Sequence, residues 1–133
     1  MLFMQASVFF EKNIYDKSEK ILRQIINQAD ENNCCFHSAN AYNLLGLIFL
    51  QKNDLAKAKT FFQQAVQREE KNNRFNGAAI DYANLALIEQ KCGNFTQAEK
   101  ILQVALEYAQ NFEDEKLINQ IKKQLKQVNC ILD

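Results

Sequence analysis

The order of apolar and polar positions along the chain is that of amphipathic helices. In one stretch, apolar or small residues follow one another at steps of three and four: Tyr42, Leu45, Gly46 and Phe49. The next stretch shows the same steps at Leu55, Ala58, Phe62, Ala65 and Val66. Such steps place side chains on one face of a helix with about 3.6 residues per turn. The chain has no proline and only three glycines, so an all-α fold is predicted.

The helical pattern repeats at a fixed spacing. Segments that begin at Asn13, Asn53 and Gly93 align with one another, each 40 residues after the one before, and the first and third share the string EKIL. The segments that precede the last two begin at Ala41 and Asp81 and align at the same spacing. A constant period of this kind indicates a helical repeat protein, in which each unit is a helix, a turn and a second helix.

Two kinds of residue recur for structural reasons. The turns fall at Asn13, Asn53 and Gly93, which are residue types that tolerate the left-handed backbone conformation at a helix end. Small residues recur at equivalent positions of the helices. Gly46 aligns with Ala86 in the first helices of the repeats, and Ala58 aligns with Ala98 in the second helices. Since two helices approach closely only where one lacks a bulky side chain, we expect these positions to lie at helix–helix contacts, with large side chains such as Phe62 beside them.

These residues resemble the signature of the tetratricopeptide repeat. Matches in the second repeat are Tyr42, Leu45, Gly46, Phe49, Ala58, Phe62 and Ala65. Matches in the third are Tyr82, Leu85, Ala86, Ala98, Leu102 and Ala105, and the first repeat is degenerate. The usual period is about 34 residues, and the period of 40 here is similar to the longer repeats of kinesin light chains and bacterial Rap-type regulators. It predicts longer helices.

The resemblance implies a right-handed α-α superhelix that holds other proteins. We expect a single domain over residues 1–133, with about three helix-turn-helix repeats at 1–32, 33–72 and 73–112. A capping helix follows at about 113–129, where Lys126 occupies the place of Gly46 and Ala86. A lysine at that place would keep a further helix from packing there.

The first helix of each repeat in this family lines a concave groove. Transferred to this sequence, the groove residues are Asn40, Asn43, Leu44, Leu47, Leu50, Asn84, Leu87 and Lys91. The asparagine amides can both donate to and accept from a peptide backbone, and the leucines would form an apolar floor for a helix or peptide. The alternative is that Asn43 and Asn84 bond neighbouring helices.

The N-terminal stretch is apolar and has no polar cap before it. Phe3, Met4, Phe9 and Phe10 cannot all face the neighbouring helix, so they form a possible second interface. This end could support a homodimer, or contacts within a larger assembly of which the chain is a structural subunit or an excised domain.

Charge and chemistry exclude several classes of function. Sixteen basic residues balance sixteen acidic ones, so no basic field predicts nucleic acid. No stretch predicts a membrane span, and the acidic pairs Glu69–Glu70 and Asp114–Glu115 are interpreted as surface charge. The four cysteines do not have zinc-site spacing and are interpreted as reduced thiols of a cytoplasmic protein, mostly packed as small apolar residues. They are Cys34, Cys35, Cys92 and Cys130.

The favoured hypothesis is therefore an adaptor that binds a peptide or helix of another protein. The alternatives are the structural subunit described above and a regulatory sensor that changes curvature when it binds a short signalling peptide. No cofactor or metal is expected. His37 is the single histidine, and we interpret it as a helix-boundary residue, so catalysis is not predicted.

Overall fold

Helices account for nearly all of the part of the chain that is described in the computed structural model, residues 2–31 and 35–132. Their bounds are α1 Leu2–Glu11, α2 Tyr15–Glu31, α3 Cys35–Gln51, α4 Leu55–Lys71, α5 Phe75–Lys91, α6 Phe95–Asn111 and α7 Glu115–Leu132. Helices α2 to α6 each contain 17 residues. The prediction of an all-α fold with long helices is confirmed.

The chain forms two compact units, Met1–Asn72 and Asn73–Asp133. In the first unit, α2 packs against α1 and α3, α3 packs against α4, and α1 also contacts α3. In the second unit, α6 packs against α5 and α7, and α5 contacts α7. Within each unit, helices that follow one another in sequence are therefore neighbours in space, as expected for helix-turn-helix repeats. The division falls between the predicted second and third repeats.

The cores of both units are built at the predicted small residues. Gly46 of α3 and Phe62 of α4 are in direct contact, and Phe62 is fully buried. In the second unit, Ala86 and Ala98 are buried in one cluster with Leu102. In the degenerate first repeat, the equivalent contact between α1 and α2 includes a buried hydrogen bond. The Ser18 hydroxyl donates to the carbonyl oxygen of Ala6 at 2.8 Å. All three repeats thus have close helix–helix contacts at equivalent positions.

The turns adopt the predicted backbone conformation. Asn13 and Asn53 have φ of 62° and 61°, and Gly93 has φ of 83°. At the second turn, the N–H of Asn53 donates to Leu50 and that of Asp54 to Phe49, at 3.1 and 2.9 Å. This is the Schellman pattern, which satisfies carbonyl groups at the end of a helix. The left-handed positions are therefore part of the hydrogen bonding that ends each first helix.

The turns that follow α4 and α6 also contain a residue with left-handed backbone. Asn73 and Glu113, which are one period apart, have φ of 58° and 53°. A glutamate at this conformation is unusual, because left-handed backbone brings Cβ close to the following carbonyl.

The four acids that were interpreted as surface charge differ in their positions. The Asp114 carboxylate accepts a hydrogen bond from the backbone N–H of Leu117 at 3.2 Å, so it caps the start of α7. Glu69 is 3% exposed, which shows that its interpretation as surface charge was wrong. Glu70 is half-buried and Glu115 is exposed.

Candidate functional site

The predicted groove residues of the first unit all lie on α3. Leu44 is 7% exposed and belongs to the core, so it presents little surface to a ligand. The other four are half-buried: Asn40, Asn43, Leu47 and Leu50. The surface that α3 offers is therefore a mixture of two amides and two leucines.

The predicted groove residues of the second unit lie on α5. Asn84 and Leu87 are half-buried, and Lys91 is exposed. Asn84 lines a cleft of about 250 Å³ between α5 and α7. The cleft is completed by Ile80, Ala83, Asp114, Lys116, Leu117 and Gln120. It combines an apolar surface, two amide side chains and one charge of each sign.

The amides of α7 were missed by the sequence analysis, which treated this helix only as a cap. Gln124 follows Asn84 by one period of 40 residues. Its side-chain Nε2 lies 3.5 Å from the carbonyl oxygen of Ala83, and its Oε1 is buried without a hydrogen-bond partner among the described residues. Gln120 lines the cleft one helical turn earlier. The signal was present in the repeat register, because counting one period from Asn84 leads to an amide on α7.

One of the repeats matches a known family. The family described as tetratricopeptide repeat matches residues 39–72, which cover most of α3 and all of α4. Over these residues the chain is similar to the tetratricopeptide repeat. The resemblance predicted from Gly46, Ala58 and Phe62 is confirmed. Tetratricopeptide repeats generally mediate contacts between proteins.

A solved structure gives the same fold. The chain is similar to BtubC (BKLC) from P. vanneervenii, whose crystal structure superposes with a TM-score of 0.75 over 98% of the present chain at 15% sequence identity. The chain spans 63% of the length of that BtubC chain. At this identity the likeness concerns the fold. No curated protein sequence matches the chain.

The apolar side chains of α1 divide into two groups. Phe3 and Met4 are 37% and 65% exposed, and Val8 is exposed as well. Phe9 and Phe10 are half-buried and contact the start of α2. There the Lys17 ammonium lies 5.6 Å from the Phe9 ring centroid, and the rings of Phe10 and Tyr15 are 5.7 Å apart. The exposed apolar surface of the described part of α1 is therefore smaller than the sequence suggests.

The cysteines differ from the expectation. Cys92 and Cys130 are exposed free thiols, so the prediction that they pack as small apolar residues was wrong. Cys34 and the side chains of Cys35 and His37 lie outside the described part of the structure. Across the side chains that are described, no three His, Cys, Asp or Glu residues come together as a metal site. No helix in residues 2–31 and 35–132 has the length and apolar character needed to cross a membrane.

Proposed function

We propose that this protein is an adaptor that binds a peptide or helix of a partner protein on the first helices of its repeats. The observation that carries the proposal is the cleft between α5 and α7, where Asn84, Gln120, Ile80 and Leu117 line one surface. Ligand sites combine apolar walls with a few polar groups that fix orientation. A peptide has both kinds of group along its length, so it fits a lining of this composition.

The polar groups of the cleft suit a peptide backbone. Each amide side chain carries donors and an acceptor, so Asn84 and Gln120 can pair with the C=O and N–H groups of an extended segment. Asp114 and Lys116 add one charge of each sign at the mouth of the cleft, where they can select charged side chains of the ligand. Ile80, which is 43% exposed, supplies apolar surface that a ligand side chain would cover.

A scaffold role agrees with the chemistry of the chain better than an enzymatic one. Helical repeat folds of this type are generally scaffolds, and function depends on the residues of a site rather than on the fold. The groups in the α5–α7 cleft are amides, aliphatic side chains and one ion of each sign, a set suited to recognition. We place the adaptor in the cytoplasm, where reduced cysteines are the norm.

The test is partner capture with matched variants. The intact chain, Asn84→Ala/Gln120→Ala and the control Asn76→Ala/Gln127→Ala are used as baits in an extract of the native cell. The control residues are exposed amides on the same two helices outside the cleft. We expect a protein that is retained by the intact chain and by the control and is lost by the cleft variant. Equal retention by all three baits would refute binding in this cleft.

A second candidate is a structural subunit that contacts other chains through α1. The exposed Phe3, Met4 and Val8 favour it, because clusters of exposed apolar side chains mark contact surfaces. It includes the possible homodimer.

A further inference from the structure

A second cleft lies in the first unit and shares no residue with the predicted groove. Its volume is about 380 Å³, and three helices contribute to it. Helix α2 supplies Arg23, Ile26 and Asn27, α3 supplies Tyr42, and α4 supplies Phe61. The wall is therefore formed by one aliphatic side chain, two aromatic rings, one guanidinium and one amide.

Hydrogen-bond donors in this cleft are available to a ligand. Arg23 uses its Nε to donate to Glu19 at 3.0 Å, and the other N–H groups of this guanidinium have no acceptor among the described residues. The Asn27 amide and the Tyr42 hydroxyl likewise have no hydrogen-bond partner in the described part of the chain. Three side chains with donor groups thus line one cleft without a protein acceptor among the described residues. An acceptor from outside would satisfy them together.

The aromatic wall holds these donors in place. The rings of Tyr42 and Phe61 are stacked with centroids 6.1 Å apart, and Phe61 stacks on Phe49 at 5.4 Å. The guanidinium carbon of Arg23 lies 5.8 Å from the Phe61 ring centroid, and that of Arg68 lies 4.5 Å from the Tyr42 ring. The three rings and the two guanidinium groups therefore form one connected set of ring contacts beside the cleft.

The charge of the lining points to a single negative group. Arg23 is the one charged side chain among the five that line the cleft. Its acidic neighbour Glu19 is also 3.9 Å from the Lys52 ammonium, so one carboxylate is shared between two cations. A guanidinium with free N–H groups pairs in bidentate fashion with a carboxylate. A doubly charged phosphate would need more positive charge than this lining provides.

We propose that this cleft binds the carboxylate of an acidic side chain carried by a partner protein. Arg23 forms an ion pair with the carboxylate, and Asn27 and Tyr42 donate further hydrogen bonds to it. Ile26 and Phe61 cover the methylene groups of the acidic side chain. The site is independent of the α5–α7 cleft, and its occupant is defined by charge.

The experiment uses the full chain labelled with ¹⁵N and follows the Asn27 side-chain amide and the Arg23 Nε–H by NMR. The probes are acetyl-Ala-Glu-Ala-amide, the same peptide with Gln in place of Glu, propionate and inorganic phosphate. The variants are Arg23→Met, Tyr42→Phe and the control Lys20→Met, which removes an exposed charge of α2 outside the cleft.

The expected result is a saturable shift of both signals with the Glu peptide. Binding is weaker by about tenfold or more with the Gln peptide and in Arg23→Met, where the Asn27 signal alone reports it, as the loss of a charge-assisted hydrogen bond implies. Lys20→Met binds like the unchanged chain. Tyr42→Phe retains the ring stack and weakens binding by about threefold. Propionate has the same carboxylate and methylene groups, but it binds more weakly than the peptide because it lacks the flanking peptide groups that would cover the surface around the cleft.

Three outcomes would overturn the proposal. Equal binding of the Glu and Gln peptides would show that charge is not recognised. Equal binding of propionate and the Glu peptide would show that the site serves a free small carboxylate. Tighter binding of phosphate than of the peptide would assign the cleft to a different anion.

Discussion

Gly46 and Phe62 pack so closely that no side chain fits between them. A Cβ atom added to Gly46 would lie 2.8 Å from both Cε1 and Cζ of the Phe62 ring. Since Phe62 is fully buried, its ring has no open space into which it can turn. The contact between α3 and α4 therefore depends on a glycine that would otherwise be unfavourable within a helix.

Gly46→Ala is predicted to destabilise the protein in spite of the higher helix propensity of alanine. Overpacking costs about 1–3 kcal/mol, and the propensity gain offsets about 1 kcal/mol. We expect the free energy of unfolding, measured in urea, to fall by about 1 kcal/mol. The third repeat pairs Ala86 with Leu102 at the same places. Combining Gly46→Ala with Phe62→Leu should therefore cost less than the sum of the two changes, and strict additivity would contradict the proposed clash.

Glu113 is predicted to be a poor residue for its turn. Its φ of 53° is left-handed, and this conformation costs an ordinary L-residue about 1–2 kcal/mol. Asparagine adopts it more readily and stands at Asn53 and Asn73, which have similar φ. Glu113→Asn should raise the midpoint of thermal unfolding, with a gain of about 0.5 kcal/mol. The reverse change Asn53→Glu should lower it, and a stabilising Asn53→Glu would refute the argument.

Asp114 is predicted to act both in capping and in ligand recognition, and two variants separate these roles. Its carboxylate accepts from the N–H of Leu117 and also lines the α5–α7 cleft. Asp114→Ala should lose about 1 kcal/mol of stability, because the cap is removed. Asp114→Asn should retain nearly all of it, because asparagine caps helices about as well. If Asp114→Asn weakens partner capture while the free energy of unfolding is unchanged, the charge of Asp114 contacts the ligand. If Asp114→Asn loses as much stability as Asp114→Ala, the capping role is refuted.

Met4 is predicted to be the most sensitive position for association through α1. It is 65% exposed, whereas Phe9 and Phe10 are half-buried against α2. If α1 forms a homodimer, Met4→Asp should convert the dimer to a monomer in sedimentation equilibrium, because a charge would be buried in an apolar contact. Lys12→Asp at the exposed end of the same segment serves as the control. A chain that is monomeric at all concentrations without any substitution would exclude the homodimer.

The helices, their period and their turns could be predicted from the sequence. These features depend on short-range geometry, because an apolar step of three and four defines a helix face and a left-handed turn requires residues such as Asn13, Asn53 and Gly93. Even the Gly46–Phe62 contact was predictable. Glycine is unfavourable within a helix, so its presence in a regular helix pattern indicates close packing against a neighbouring helix.

The tertiary structure alone decided which side chains from different helices meet. Glu69 is buried and Cys92 is exposed, whereas the sequence analysis interpreted the acid as surface charge and the cysteines as mostly packed. The α5–α7 cleft brings together Asn84 and Gln120, which are distant in sequence. The cleft around Arg23 needs three helices to place its guanidinium beside stacked rings. Periodicity identifies the face of each helix, but the burial of a polar residue and the composition of a cleft depend on how neighbouring helices pack.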